Sequence, residues 1–286
     1  MDFEFIILSK QDQLATLTLN RPQKKNPLNY KMLQEILAAV NDVSKDSSVR
    51  VLVITGAGDA FSAGADLKFA ELREGKIHPR LAEEMWVRIN EEGFPPGQLL
   101  TIAHEAIAAI RQLQKPTIAM IKGDVVGGGF GMALACDMRV CAQGARFMIG
   151  HPRIGFVPDL EESWVLPRIV GLGRALEIIM ACEFFGADEA YRIGLVNRLV
   201  SVDKLEEETR KLAKSLMSIP PITQRLIKQT VYAGLNSDLQ SSVLLSLACN
   251  AMIMGSKDHY EATMAMVERR PAVYKDTNLL FDQTGS

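Results

Sequence analysis

Two glycine- and alanine-bearing segments have the make-up of turns that could hold a developing negative charge: Phe61-Ser62-Ala63-Gly64-Ala65-Asp66-Leu67 and Gly123-Asp124-Val125-Val126-Gly127-Gly128-Gly129-Phe130-Gly131. Each follows a β-branched run, residues 51–55 and 117–121, and each leads into a stretch compatible with a helix. Stabilising an oxyanion takes backbone N–H groups that face a cleft without obstruction by side chains. Glycine permits the dihedrals such a turn needs, and the first N–H groups of a helix have no partner inside it. Two turns of this kind can converge on one carbonyl oxygen. The same composition also makes ordinary strand-to-helix connectors, so the turns alone do not decide the matter. A phosphate loop is disfavoured, because no Lys-Ser or Lys-Thr pair follows the glycines and no GxGxxG spacing occurs.

The elements that would position these turns are legible in outline. Residues 4–9 and 14–19 carry β-formers around Asp12 and suggest an opening hairpin. Residues 29–43 place Leu33, Ile36, Leu37 and Val40 on one helical face, with Asn29 as N-cap. Strand, glycine-bearing turn and helix then recur: 51–55 before a helix at 65–72, and 117–121 before a helix at 128–135. Short strands follow at 138–141 and 146–149. This alternation predicts an α/β core of ββα-like units. Between the first two units lies a polar, proline-bearing insertion at 73–98 with one helix at 81–89; Trp86 and Phe94 are candidates to shape a pocket. Beyond residue 200 the strand signals stop. Residues 203–217, 221–235, 239–254 and 257–268 read as amphipathic helices, with four methionines between 252 and 266 on a face suited to pack against the core or a neighbouring subunit.

Composition narrows the setting. The chain has 286 residues, 48% of them hydrophobic, and a net charge of -2, which describes a globular protein without the basic footprint of a nucleic-acid binder. Cys136, Cys141, Cys182 and Cys249 show neither a CxxC pair nor metal-ligand spacing and read as reduced cysteines of a cytoplasmic protein. The opening Met1-Asp2-Phe3-Glu4-Phe5 has no basic segment leading into an apolar run, so neither a secretory leader nor a transit peptide is expected. No apolar run reaches membrane-spanning length, and no membrane association is expected.

The motifs, taken in order, resemble those of the crotonase (enoyl-CoA hydratase/isomerase) superfamily over nearly the whole chain. The matching pieces are Leu19-Asn20-Arg21-Pro22 with Asn26-Pro27-Leu28, Phe61-Ser62-Ala63-Gly64-Ala65-Asp66-Leu67-Lys68, Lys115-Pro116-Thr117-Ile118-Ala119, and Gly127-Gly128-Gly129 with Ala135-Cys136-Asp137. Leu166-Pro167-Arg168-Ile169-Val170-Gly171 and Ala187-Asp188-Glu189-Ala190 with Gly194-Leu195-Val196 complete the set. The resemblance implies a ClpP-like spiral of ββα units over residues 1–200 that binds acyl-CoA. It also implies a helical region over 201–286 used in assembly of a homotrimer or a dimer of trimers. The substrate would be a small-molecule acyl-CoA thioester, with coenzyme A as part of it and no separate cofactor or metal. Its carbonyl oxygen would be held by the N–H groups of Ala65 and Gly128, which match the family's oxyanion-hole positions. Ser62, Ala63, Asp66 and Leu67 lie where the family binds adenine through backbone, Lys24 and Lys25 where basic residues approach the CoA phosphates, and Gly131 in the acyl site.

The acid–base positions depart from the hydratase pattern. By resemblance, hydratases carry one glutamate two residues after Gly-Gly-Gly and a second beside the proline after the next strand. This chain has Gly131 and His151 there. A carboxylate appears instead at Asp159, in Val157-Pro158-Asp159. The ring-epoxide/Δ3,Δ2-enoyl-CoA isomerase branch shares that aspartate and resembles the chain at Ser163-Trp164 and Leu166-Pro167-Arg168. The 4-chlorobenzoyl-CoA dehalogenases use an aspartate there as nucleophile, have a similar glycine turn, and place a catalytic histidine where this chain has His104. They carry a tryptophan where this chain has His151.

Three readings follow. Foremost is double-bond isomerisation, in which one carboxylate, Asp159, removes a proton and returns it elsewhere while the oxyanion hole holds the dienolate. The second is a hydrolase or hydratase acting on an alicyclic CoA thioester, with His151 and Asp159 activating water. The third is a non-catalytic or RNA-binding relative, which the net charge does not favour. Glu161 and Glu162 stay open between extra pocket acids and a solvated helix start; His78 and His259 carry no functional argument.

Overall fold

The structure is a computed structural model that describes residues 2–66 and 98–274. The chain opens with the expected hairpin. Strands β1 (Ile6–Gln11) and β2 (Leu14–Leu19) pair antiparallel around Asp12 and Gln13, both at positive φ, a turn whose twist matches that of the strands. Helix α1 (Tyr30–Lys45) begins as expected at Asn29, whose side chain accepts from the Met32 N–H at 2.8 Å. It buries Met32, Leu33, Ile36, Val40 and Val43 along one stripe.

The ββα repeat then builds two sheets at once. Strands β3 (Val51–Gly56), β5 (Thr117–Ile121) and β7 (Met138–Ala142) add to the hairpin, and β10 (Arg198–Val200) completes a six-stranded sheet of order β1-β2-β3-β5-β7-β10. Strands β4 (Ala60–Ser62), β6 (Asp124–Val126), β8 (Arg146–Met148) and β9 (Phe185–Gly186) form a second sheet in that order. Each unit therefore places its first strand in the large sheet and its second, a few residues on, in the small one. The large sheet is parallel from β2 onward. Helices α2 (Gln98–Gln112), α3 (Gly128–Ala135), α4 (Glu162–Val170), α5 (Leu172–Ala181) and α6 (Ala187–Arg192) provide the returns. This is the α/β arrangement of repeated ββα units expected from the sequence.

Strand β3 shows why its sequence is a continuous apolar run. Leu52 and Ile54 face the main core with Phe61, Ile107 and Phe130, whereas Val51 and Val53 face a second cluster with Ile118, Val140, Leu205 and Ala213. Leu205 and Ala213 belong to α7 (Leu205–Met217), which covers the outer face of the sheet. A strand buried on both faces has no polar side to alternate with.

Helices α7, α8 (Pro221–Gly234), α9 (Leu239–Met254) and α10 (Lys257–Glu268) fall where expected. Helices α4 and α5 had no sequence reading: Pro167 lies inside α4, and Gly171, at positive φ, separates the two, so no uninterrupted helical pattern exists to read. The expected helices at 65–72 and 81–89, the insertion with His78, Trp86 and Phe94, and Leu67 lie outside the described residues, except that Ala65 forms a parallel bridge with Leu28 instead of a helical turn. All four cysteines are buried and unpaired, and burial pushes the Cys136 thiol up to about 12. Leu239, Leu244, Leu247 and Met254 of α9 and Met266 and Val267 of α10 are uncovered within one chain. No single helix among the described residues is long and apolar enough to cross a membrane; α9 and α10 pass only as a pair bent by 77°.

Asp137, at the mouth of β7, ties α8 to the sheet. Its Oδ2 accepts from the Thr117 N–H at 2.8 Å and from Lys228 Nζ at 2.9 Å, and its Oδ1 accepts from the Tyr232 hydroxyl at 2.7 Å. Both partners of the ion pair are largely buried. Removing one leaves the other charge without compensation in a poorly solvated place. Asp137→Ala should therefore cost about 3–5 kcal/mol, read as a lower urea midpoint at unchanged slope.

Candidate active site

The first turn is held by the loop before α1. Asn26 is fully buried at positive φ. Its Oδ1 accepts from the Arg21 N–H at 2.9 Å, and its Nδ2 donates to the carbonyls of Ala57 and Ala60 at 2.9 and 3.0 Å. Ser62 Oγ donates to the Asn26 carbonyl at 2.8 Å, the Ala63 N–H donates to Lys25 O, and the Leu28 N–H donates to Gly64 O at 2.7 Å. Arg21 closes the brace with a 2.7 Å ion pair to Asp66 and a 2.8 Å hydrogen bond to the Pro27 carbonyl. The Arg-Pro and Asn-Pro-Leu motif is thus scaffolding for the turn.

The second turn touches the first, backbone to backbone. A Cβ on Gly64, which sits at φ +84°, would lie 2.8 Å from Val126 O and 3.3 Å from the Gly128 amide nitrogen. A Cβ on Gly129 would lie 2.6 Å from the Ser62 Cβ. No other residue fits this interlock, because any side chain would force the turns apart. Among the described residues, the amides of Ala65 and Gly128 donate to no backbone carbonyl: the bonds around Ala65 use the neighbouring amides of Leu28 and Asp66, and Gly128 opens α3. Two amides without a described backbone acceptor, on adjacent backbones, can receive a carbonyl oxygen whose negative charge is growing.

Beside α3 lies an acid–base cluster. His151 starts the 3-10 turn His151–Ile154 with its side chain 14% exposed. Its Nε2 is 3.7 Å from Asp159 Oδ1 and its Nδ1 is 3.9 Å from Glu162 Oε1. Asp159 is 35% exposed; Glu162 is completely buried. Leu160, next to Asp159 in sequence, packs its Cδ1 3.2 Å from where a Gly128 Cβ would be. A Cβ on Gly131 would lie 2.7 Å from the Leu160 Cβ and 3.0 Å from Glu162 Oε1. The space a side chain at 131 would take is therefore filled by Leu160 and a carboxylate arriving from α4. Glu162 Oε2 accepts from the Leu160 N–H at 2.8 Å. Among the described residues, His151 Nδ1 and Glu162 Oε1 are the buried side-chain polar atoms left without a hydrogen-bond partner.

Electrostatics follow burial. Loss of water pushes the Glu162 carboxyl up to about 7, against the hydrogen bonds it accepts and with help from the negative Asp159 and Glu161 nearby. Burial holds His151 below its ordinary value, outweighing the opposing pull of Asp159. Glu161 caps α4 at φ +69°, uncommon for a residue with a side chain, and its carboxylate pairs with Arg111 of α2. Arg111 also donates to the Leu134 carbonyl at 3.1 Å, so it ties α2, α3 and the Glu161 turn together.

A family profile described as enoyl-CoA hydratase/isomerase matches residues 9–94 and 97–277. This chain belongs to that family. A crotonyl-CoA hydratase of Syntrophomonas wolfei is 33% identical over 275 residues, covering 95% of this chain and 98% of that protein. The 4-chlorobenzoyl coenzyme A dehalogenase-2 of an Arthrobacter species is 35% identical over 236 residues, 82% of this chain and 80% of that protein. The crystal structure of an enoyl-CoA hydratase from Bacillus anthracis superposes with a TM-score of 0.84 at 29% identity, covering 96% of this chain and 100% of that one. Hydratase and dehalogenase names occur together among these relatives, so the comparisons establish the family and not the isomerase branch within it.

In this family member Leu28 touches both Ala65 and Gly128, Leu160 packs against Gly128 and Gly131, and His151 lies 3.7 Å from Asp159. His104 is exposed on α2. The side chains of Ser62 and Asp66 are engaged in the brace. Lys24 and Lys25 are exposed, Lys25 3.3 Å from Asp124. A cavity of about 430 Å³ lined by Leu134, Trp164, Val165, Val231 and Leu235 includes no residue of either turn. Sequence reasoning missed the structural roles of Arg21, Asn26 and Arg111 and left Glu162 unassigned. The available signal was a pair of residues, the bare Gly131 on α3 and the acid Glu162 three residues after Asp159. Glu162 ionises near 4.5 when unfolded and near 7 when folded, so folding favours its neutral form. Below pH 4.5 both states are protonated; as pH rises to 7 the folded state loses about 3 kcal/mol relative to the unfolded one. Glu162→Gln should remove that decline, measured by urea unfolding at pH 4.5 and pH 7.5.

Proposed function

We propose that this protein is an acyl-CoA enzyme that relocates a double bond by a 1,3-proton shift. The amides of Ala65 and Gly128 hold the thioester oxygen, and Asp159 removes a proton and returns it two carbons away. The observation that carries this reading is the contact between the two turns, with Leu160 against Gly128 and the half-exposed Asp159 immediately before it in sequence. By the resemblance, Gly131 and His151 replace the two glutamates of hydratases. Proton removal beside a thioester pushes charge onto its oxygen. Each well-placed amide there contributes about 3–4 kcal/mol to lowering the barrier. One carboxylate is enough, because the proton taken is also the proton returned.

A second reading is favoured by His151, whose Nε2 faces Asp159 at 3.7 Å and which burial keeps neutral. A neutral imidazole beside a carboxylate can activate water for attack on an alicyclic CoA thioester. Product analysis of linear and alicyclic CoA thioesters in oxygen-18 water, with wild-type protein and Asp159→Asn, separates the two. Isomerisation gives a shifted double bond without label and is lost in Asp159→Asn while CoA-ester binding survives. A labelled, ring-opened or hydrated product establishes the second reading. Isomerisation retained by Asp159→Asn refutes the shuttle, and no turnover across the panel favours a non-catalytic relative.

The uncovered apolar residues of α9 and α10 suit a neighbouring copy of the chain, as does the trimer or dimer of trimers expected from the resemblance. Analytical ultracentrifugation should give three or six times the 31.5 kDa chain mass; a monomer at micromolar concentration would remove the proposal.

A further inference from the structure

We propose that Glu162 is a buried proton store for the site, exchanging a proton with Asp159 through the ring of His151. This rests on Asp159 being the group that handles the substrate proton. The geometry is a line of three groups: Glu162 Oε1, then His151 Nδ1 at 3.9 Å, then His151 Nε2, then Asp159 Oδ1 at 3.7 Å. Each gap closes to a hydrogen bond with about 1 Å of side-chain movement. The two unsatisfied buried atoms face one another across the first gap. Leaving both unpaired is costly, and one proton placed between them satisfies both.

Glu162 also reaches the space beside a glycine of a neighbouring helix. Gly131 leaves a hole on α3, and the Glu162 carboxylate fills it from α4. Arg111 fixes that route by pairing with Glu161, which turns the chain through positive φ so that the next residue points inward. A carboxylate from α4 thus lies beside the backbone of α3 at Gly131.

The exchange balances without a co-reactant. The O–H bond of Glu162 breaks as an N–H bond forms at His151 Nδ1; the Nε2–H bond then breaks as an O–H bond forms on Asp159. Asp159 becomes neutral, Glu162 becomes a carboxylate and His151 ends neutral in its other tautomer. Reversal restores the carboxylate of Asp159 and the proton of Glu162. Among the described residues, the charged groups facing the pair are Asp159 and Glu161 on the preceding loop, with Arg111 reaching it through Glu161. Arg153 on the His151 turn is exposed, and α3 carries no ionisable side chain.

The test reads the proton without turnover. In protein with nitrogen-15 histidine, whose four rings are assigned with His151→Gln, the His151 ring signals should move through a step near pH 7. Glu162→Gln keeps an acceptor for the Leu160 N–H but cannot titrate, and the step should vanish. Asp159→Asn, which tests the isomerase reading by activity, should keep it. A wild-type titration with no step, a step that persists in Glu162→Gln, or one that is lost in Asp159→Asn would overturn the proposal. If Glu162→Gln does not fold, infrared detection of a protonated glutamic acid in wild-type protein, disappearing together with the His151 step, reads the same proton; its absence is equally decisive against the store.

Discussion

The structure depends on bare backbone meeting bare backbone. Gly64 presses against the Val126 carbonyl and the Gly128 amide, and Gly129 against Ser62, at separations that leave no room for a Cβ. This contact joins a turn after β4 to a turn after β6, and so links successive ββα units at the point where each strand of the small sheet ends. Because the joint is made of backbone, amides are left over at its edge. The loop around Asn26 keeps the first turn in shape by satisfying the carbonyls of residues 57 and 60 from a buried side chain. The site is thus pre-organised before any ligand arrives, which is the condition under which hydrogen bonds to a growing charge lower a barrier.

Around that fixed centre the acid–base groups are free to move between positions in the chain. An oxyanion hole asks only that a proton donor or acceptor lie within reach of the carbons next to the carbonyl. It does not prescribe the element that carries it. Here α3 contributes glycine, the turn after β8 contributes a histidine, and the segment leading into α4 contributes Asp159 and Glu162. Their environments differ: Asp159 meets water, His151 is largely enclosed, and Glu162 is sealed. Burial raises the proton affinity of Glu162 and lowers that of His151.

Much of this was legible from residue types. The two turns, the Asn29 cap, the ββα recurrence and the four terminal helices all rest on local rules of dihedral preference and apolar period, and they appear where those rules place them. Helices α4 and α5 were not legible, because a proline inside one and a glycine between them break the pattern that packing restores. The brace around Asn26 was visible as a motif but not as a mechanism, since its hydrogen bonds reach 31 and 34 residues along the chain.

By itself the sequence determined the kind of chemistry: small residues at two strand ends, a carboxylate at 159, and no acid at 131 or 151. Tertiary structure alone decided that the turns touch, that Asp137 holds α8 to the sheet, and that Glu162 lies in the space beside Gly131. The physical reason is distance along the chain. A dihedral preference or an apolar stripe is a property of neighbours in sequence, whereas burial and the proton affinity it sets belong to whatever the fold brings alongside.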